Sequence, residues 1–399
     1  MNLLYLSSWF PFPPTNGSEL RINALIRGLV ARHDVTLLSF QRRPIDPRGL
    51  AQARAILSDV RLVPWREFAP DSRRARLGFL SSQPRSVVDT YSTEMDMLIR
   101  EVIAMHQYDA VVVSQLAMAA YWPAWGDLPT VLDEVELGSS REQSRLSSTP
   151  MARVRRTLMW AKLQSYVRGL LPHFDAVTVV SQRERDLLRQ VAPDYSAVSL
   201  VPNGIDSAAC ASVRAGHDPD TLIFTGAFTY DVNHEAMVWF LDEVYPIIRQ
   251  NVPQLRLTIT GDHAGKPLPS ADGVTLTGFV DDVRPLIAGA GAAVVPIRQG
   301  GGTRLKILEA MAVGTPVVAT SKGAEGLDVT DGENILLADT PQDFAEAILR
   351  LRQDAALCQN LVNNACLLIR RQYDWVVILP DFIELVERVA SRAMTPVQQ

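Results

Sequence analysis

Short runs rich in Val, Ile, Leu and Thr recur along the 399 residues, and segments with apolar residues at helical spacing separate many of them. In the first half these runs are Asn2–Leu6, Val35–Phe40, Val60–Pro64, Ala110–Ser114, Thr130–Asp133, Ala176–Val180 and Val198–Val201. Glu19–Ala31, Ala51–Ser58 and Met95–Met105 lie between them with a helical apolar stripe. Strands that alternate with helices predict an α/β protein with parallel sheets covered on both faces. The rhythm pauses after Pro202-Asn203-Gly204-Ile205-Asp206, in a stretch from Ser207 to Asp220 rich in Ala, Ser, Gly and Asp that reads as a linker. It restarts at Leu222–Thr225, Leu255–Gly261, Val274–Leu276, Ala292–Val295, Pro316–Ala319 and Ile335–Leu337. Residues 1–205 and 206–374 are therefore expected to be two separate domains, each an open α/β sheet. Ligands of such sheets bind at the carboxyl ends of the strands.

The length suits two domains of roughly 200 residues. An apolar content of 47% and a charged content of 21% are those of a globular chain. No apolar run reaches the roughly 18 residues that span a bilayer. Met1-Asn2-Leu3-Leu4-Tyr5-Leu6 lacks a basic flank and reads as a first strand, not a signal peptide. Cys210, Cys358 and Cys366 show no metal or redox spacing, and a reducing cytoplasm fits them. The six histidines show no metal spacing either, so no metal site is expected. Residues 1–200 carry 24 Lys and Arg against 20 Asp and Glu, whereas residues 201–399 carry 15 against 24. The basic half thus predicts a partner or surface for the first domain. Ser140–Leu171 concentrates Arg141, Arg145, Arg153, Arg155, Arg156, Lys162 and Arg168 among Leu, Met, Trp160 and Tyr166. That basic amphipathic pattern reads either as a membrane-surface helix or as an ordinary solvated face. No nucleic-acid partner is expected, because the chain is acidic overall, at −5, and carries no such motif.

The segment from Gly300 to Val318 (GGGTRLKILEAMAVGTPVV) reads as a glycine-rich turn, a short helix, a glycine stop and a buried strand. Thr303 is the expected N-cap, Gly314 the C′ residue and Pro316 the break beyond. Leu305, Leu308 and Ala312 are spaced to face a core. Arg304 and Lys306 fall in the first helical turn, where a cation is disfavoured by roughly 0.3–1 kcal/mol. Backbone amides freed by Gly300, Gly301 and Gly302, with two cations at a helix start, form an anion site suited to a diphosphate. Glu309 lies on the same helix face about 10 Å further along, placed to accept both hydroxyls of a ribose. The alternative is a plain Lys306–Glu309 surface pair worth a few tenths of a kcal/mol.

Other strand-end loops offer weaker signals. Pro11–Glu19 follows the first strand, and Gly17 either admits a ligand or merely belongs to a stiff connector whose helix is capped by Thr15, Asn16 or Ser18. Arg21 is another cation near that helix start. Gly226 opens the loop to Asn233 and either permits close approach or simply turns the chain. Phe279 and Val280 follow another strand, with Phe279 lining a base pocket or buried in the core. Asp133, Glu134 and Glu136 are acid/base equipment or a solvated strand end.

Taken together, these segments resemble the family-4 retaining glycosyltransferases of GT-B fold along essentially the whole chain. The likeness rests on Pro-Pro-Thr-Asn-Gly before the first helix, Arg32-His33-Asp34-Val35, Val179-Val180-Ser181, Val201–Asp206, Gly278-Phe279-Val280 and, most specifically, Leu308–Val318. The nearest resemblance is to bacterial sugar transferases of polysaccharide assembly that carry a Gly-Thr-Arg-Leu-Lys loop. It implies two facing Rossmann-like domains with a cleft between them, the first binding the acceptor and the second the nucleotide-sugar donor. It also implies a last helix, within 375–399, that crosses back to the first domain.

By the same resemblance, Glu309 holds the ribose, Gly17 neighbours the diphosphate, Phe279 and Val280 meet the base, and Gly301, Gly302 and Thr303 cover the sugar and phosphates, with Arg21 and Glu134 expected on the acceptor side. Three positions depart from the family pattern. Gly301 stands where a first glutamate is usual, the Gly226–Asn233 loop contains no cation, and Ser114-Gln115 replaces a common histidine. Arg304 and Lys306 are expected to supply the missing charge and so to act as the catalytic cations. The implied activity is transfer of a sugar from a nucleotide-sugar co-substrate to a carbohydrate or lipid-linked hydroxyl, with retention and without a metal or other cofactor. The implied place is the cytoplasm or the inner face of the plasma membrane. A non-catalytic nucleotide-sugar-binding protein and a nucleotide-sugar epimerase remain as alternatives.

Overall fold

The apolar runs of the first half become seven strands: β1 (Asn2–Ser7), β2 (Asp34–Gln41), β3 (Asp59–Pro64), β4 (Ala110–Ser114), β5 (Thr130–Asp133), β6 (Ala176–Val179) and β7 (Val198–Leu200). They form one parallel sheet in the order β3-β2-β1-β4-β5-β6-β7. β1 is an interior strand, with Leu3 in register with Val35 of β2 on one side and Ala110 of β4 on the other. Leu3, Leu4, Tyr5 and Leu6 have no exposed surface, as expected of a strand covered on both faces.

The computed structural model describes residues 1–145, 150–302 and 304–392, and the chain divides into two compact units. One comprises Met1–Pro202 and the chain from Ile378 onward, the other Asn203–Val377. The second unit holds β8 (Asp218–Thr225), β9 (Arg256–Thr260), β10 (Val274–Gly278), β11 (Ala290–Val295), β12 (Val317–Ala319) and β13 (Leu336–Leu337). Its sheet is also parallel, in the order β10-β9-β8-β11-β12-β13. Strand order reverses beside β1 in the first sheet and beside β8 in the second. The loops after β1 and β4, and those after β8 and β11, therefore flank the crevice where such sheets take ligands.

The stretch Ser207–Asp220 is not a loose linker. Asp206 caps a short helix, Ser207–Ala211, by accepting from the Ala209 amide at 2.8 Å, Cys210 is buried, and β8 starts at Asp218. The boundary moves back to Pro202 because Ile205 pairs with Asp374: its amide donates to Tyr373 at 2.7 Å and its carbonyl accepts from Trp375 at 3.1 Å. The last helix, Trp375–Arg392, joins the first unit from Ile378 on. There Glu387 meets Arg32 at 3.2 Å, and Leu379 packs so closely on Gly28 that a Cβ at that position would lie 2.8 Å from its Cδ2. No described helix is long and apolar enough to cross a membrane.

Candidate functional site

In the second unit the helix Leu305–Val313 starts one residue later than its sequence suggests, with Arg304 at the N-cap position. Thr303, the expected cap and loop residue, lies outside the described residues, as do 146–149 of the basic segment and 393–399 of the tail. Ile307, Leu308, Ala310 and Met311 are buried, whereas Leu305 and Ala312 are half-buried. The buried face is broader than a single stripe because the helix packs on β11, β12 and three neighbouring helices. Gly314 ends it in the left-handed region at φ 84°.

No side chain caps the start of this helix, so its first amides stay available to an anion. The Arg304 guanidinium turns back instead, donating to the carbonyls of Gly301 at 2.8 Å and Gly300 at 2.7 Å, and is only 6% exposed. Gly300 and Gly302 hold φ near 86° and 88°, which the loop's reversal requires. Lys306 reaches the end of β8. Its ammonium donates to Asn233 Oδ1 at 2.9 Å and lies 4.2 Å from the Phe224 ring centroid. A Cβ at Gly226 would lie 2.7 Å from that Nζ, so the glycine is there for a close approach. Burial, helped by the charge of Arg304, lowers the Lys306 pKa to about 7.

The bland Lys306–Glu309 surface pair does not form, because the ammonium is engaged with Asn233. Glu309 accepts no hydrogen bond among the described residues. Burial raises its carboxyl, against the opposing pull of Lys306 and Arg284. Phe279 follows β10 and is 68% exposed, so it is not a core residue, and Val280 is half-buried. Lys306, Gly226, Asn233 and the Arg304-braced loop thus converge where strand order reverses. Asn233 was the partner that sequence reasoning missed, since its neighbour comes from 73 residues away.

In the first unit Asn16 caps the helix Gly17–Val30, accepting from the Glu19 amide at 3.0 Å. Arg21 is fully enclosed and is not an acceptor-side group. Its guanidinium meets Asp133 at 2.7 and 3.0 Å and donates to the carbonyls of Val201 and Pro202 at 2.9 and 3.1 Å. Asp133 is therefore no solvated strand end. Glu134 stays half-buried beyond β5 with φ 61°, and Gln115, beyond β4, has φ 71°. Both are sparsely populated conformations for residues with a Cβ. Gln115 Nε2 donates to Glu134 Oε2 at 2.9 Å and to Ser18 Oγ at 3.2 Å, and Ser8 Oγ donates to Gln115 Oε1. Burial pushes the Glu134 carboxyl up to about 7, against the pull of Arg21. Gly17 lies beside Ser18 at the edge of this polar cluster. Sequence marks Ser18 only as a candidate cap and Gln115 only as standing where a histidine is common, and Ser8 not at all, because left-handed φ at a glutamine cannot be read from composition.

A model described as Glycosyltransferase Family 4 matches residues 15–209, and one described as Glycosyl transferases group 1 matches residues 219–354. A phosphatidyl-myo-inositol mannosyltransferase of Mycobacterium leprae is 30% identical over 204 residues, 48% of this chain and 54% of that protein. An uncharacterized 44.6 kDa protein of the cps region of Klebsiella pneumoniae is 26% identical over 164 residues, 38% of this chain and 42% of that protein. The chain thus spans about half the length of these curated relatives. Among solved structures, HepE of Anabaena in complex with UDP is 16% identical, with a TM-score of 0.65 over 97% of this chain and 100% of that one. Sucrose-phosphate synthase of Thermosynechococcus elongatus is 18% identical, with a TM-score of 0.67 over 98% and 100%. Two parallel-sheet α/β units give the chain the GT-B fold of these neighbours, and each unit matches a glycosyltransferase family model, Glycosyltransferase Family 4 on the first and Glycosyl transferases group 1 on the second.

Proposed function

We propose that this chain moves a sugar from a nucleotide-sugar to an acceptor hydroxyl, in bacterial polysaccharide or glycolipid assembly. The observation that carries the reading is Lys306, held against Gly226 and Asn233 beside the uncapped start of the Leu305–Val313 helix. Cleaving a sugar–phosphate bond builds negative charge on the departing diphosphate. An ammonium and open amides aimed at that charge stabilise it, one such donor being worth roughly 3–4 kcal/mol. Arg304 braces the loop that presents those amides through Gly300 and Gly301. Glu309, further along the same helix with an unengaged carboxylate, takes the ribose hydroxyls, and Phe279 with Val280 meets the base. In this reading the acceptor attacks from the side the leaving group departs, a phosphate oxygen takes its proton, and configuration is retained without a metal.

The similarity to a phosphatidyl-myo-inositol mannosyltransferase supports a lipid-linked acceptor, and the first unit carries a surface that suits one. Leu77, Leu80, Met151, Val154 and Leu158 are 60–89% exposed, and Arg73, Arg76, Arg153 and Arg155 flank them. Lys162 joins the two segments by donating to the Gly78 carbonyl at 2.6 Å. Apolar side chains within a basic field are what an anionic leaflet binds, which supports peripheral attachment at the inner face of the plasma membrane.

Calorimetric titration with UDP-, GDP-, ADP- and TDP-sugars tests the donor assignment. Donor-only incubation followed by NMR separates transfer from epimerisation. If Lys306→Ala lowers turnover less than about tenfold, under ~1.4 kcal/mol, the cationic role is wrong, and the same result for Arg304→Ala refutes the bracing of the loop.

A further inference from the structure

A cavity of about 390 Å³ opens in the first unit beside the carboxyl ends of β1 and β2, lined among others by Trp9, Phe10, Arg42, Arg43 and Glu67. Its size falls in the range of small-molecule sites, roughly 300–1,000 Å³. Arg42 is its most unusual group. The guanidinium is sandwiched between the indoles of Trp9 and Trp65, 4.0 and 3.7 Å from their ring centroids, and its Nε donates to the Ser8 carbonyl at 2.8 Å. Nη1 and Nη2 meet no hydrogen-bond partner among the described residues. A planar fork held this rigidly, with its outer donors unused, is preorganised for a ligand.

The remaining charges decide which ligand. Arg43 is spent on Glu19 at 2.8 Å and on Thr15, while Asp46 caps its own helix by accepting from the Arg48 amide. Glu67 is exposed and makes no ion pair or hydrogen bond among the described residues. The lining holds two arginines against Glu19, Asp46 and Glu67, so an anionic ligand meets a field that is not in its favour. What stays unengaged is one double donor and one carboxylate acceptor, beside the half-buried rings of Phe10 and of Trp9, whose indole already carries Arg42. A pyranose presents the complement: hydroxyls that both donate and accept around a rim, and C–H faces that dock on aromatic rings.

We propose that the Trp9–Phe10–Arg42–Glu67 cavity is a subsite for a neutral pyranose, its hydroxyls bridged between the Arg42 fork and the Glu67 carboxylate. Its assignment to the acceptor rests on the glycosyltransferase reading above, but the occupancy of the cavity does not. The probe is a panel of methyl pyranosides of glucose, galactose, mannose and N-acetylglucosamine, with methyl glucuronide as the anionic arm, followed by saturation-transfer NMR on the full chain. At least one neutral glycoside takes up saturation. Arg42→Ala weakens its binding at least about tenfold, Arg42→Lys weakens it less, and Glu67→Ala weakens it severalfold. Arg42→Ala removes a packed side chain, so the conservative lysine and the exposed glutamate keep the test readable if the alanine variant unfolds. Calorimetry with UDP-, GDP-, ADP- and TDP-sugars is the control for the second unit. If none of them binds, the donor reading fails while the pyranose result stands or falls alone. No saturation of any neutral glycoside, a preference for the glucuronide, or undiminished binding in folded Arg42 and Glu67 variants overturns the proposal.

Discussion

Donor binding should be coupled to the uptake of a proton by Lys306. In the unliganded chain Lys306 is half-buried, and its ammonium, partly desolvated, lies near Arg304, which brings its pKa to about 7 from a usual value of 10.5. A diphosphate bound beside it restores the charged form. At pH 8 about nine in ten unliganded molecules then hold a neutral Lys306, and each binding event takes up about 0.9 proton. At pH 6 the uptake falls to about 0.1. The cost of recharging the amine at pH 8 is RT ln 11, about 1.4 kcal/mol, so affinity falls about tenfold between pH 6 and pH 8. The titrant is a nucleotide-sugar and not free UDP, because the terminal phosphate of UDP titrates in the same range. Calorimetry in two buffers of different ionisation enthalpy reads the proton number directly. Lys306→Met should bind weakly and show neither uptake nor pH dependence. Zero uptake at pH 8, with one affinity from pH 6 to pH 8, would refute the placement of this amine at the diphosphate.

Other expectations use the same coordinates. The lowered pKa of Lys306 means that the unfolded chain holds more protons between pH 7 and pH 10, so wild-type stability in urea should climb across that window relative to Lys306→Met. Glu309→Gln should weaken nucleotide binding roughly tenfold or more, since one charge-assisted hydrogen bond is worth about 1.5–3 kcal/mol, while leaving thermal stability near wild type. Gly226→Ala puts a Cβ 2.7 Å from Lys306 Nζ and 2.8 Å from Asn233 Nδ2 at φ 151°, so donor affinity should drop as far as in Lys306→Ala. Arg21→Ala orphans the buried Asp133 carboxylate and should cost about 3–5 kcal/mol by urea denaturation, whereas replacing both partners by apolar residues should cost much less.

The architecture was legible because β-branched runs and helical stripes obey different periods, and each apolar run named from the sequence overlaps one strand of the two parallel sheets. The errors were local. Ser207–Asp220 looked loose because small and polar residues dominate it, yet such residues also cap helices and begin strands, as Asp206 and Asp218 do here. Arg21 looked like a cation presented to a ligand because sequence shows its place on a helix but not its partner, Asp133, 112 residues away. Phe279 was ambiguous for the same reason, burial being a property of the assembled surface. Gln115 and Glu134 were invisible as a pair, since their left-handed backbones and mutual hydrogen bond arise only once β4 and β5 lie side by side.

On the donor reading proposed above, a missing side chain is replaced by geometry. The loop Gly226–Asn233 has no cation of its own, and a diphosphate site at the end of β8 would need one. Lys306 arrives from the helix after β11, the neighbouring strand of that sheet, and is aimed by Asn233, a residue of the cation-free loop. The approach works only because position 226 carries no Cβ. Glycine at 226, asparagine at 233 and lysine at 306 therefore constitute one device, and none of the three has the same meaning alone. A cation donated from outside the loop is more deeply enclosed than one borne on a flexible turn. The enclosure that depresses its pKa in the empty site also removes the water that would screen it once a diphosphate is bound. The pH dependence and the catalytic strength are then two readings of one burial. A change that re-exposes Lys306 without removing it, such as Asn233→Gly, should flatten the first and weaken the second together.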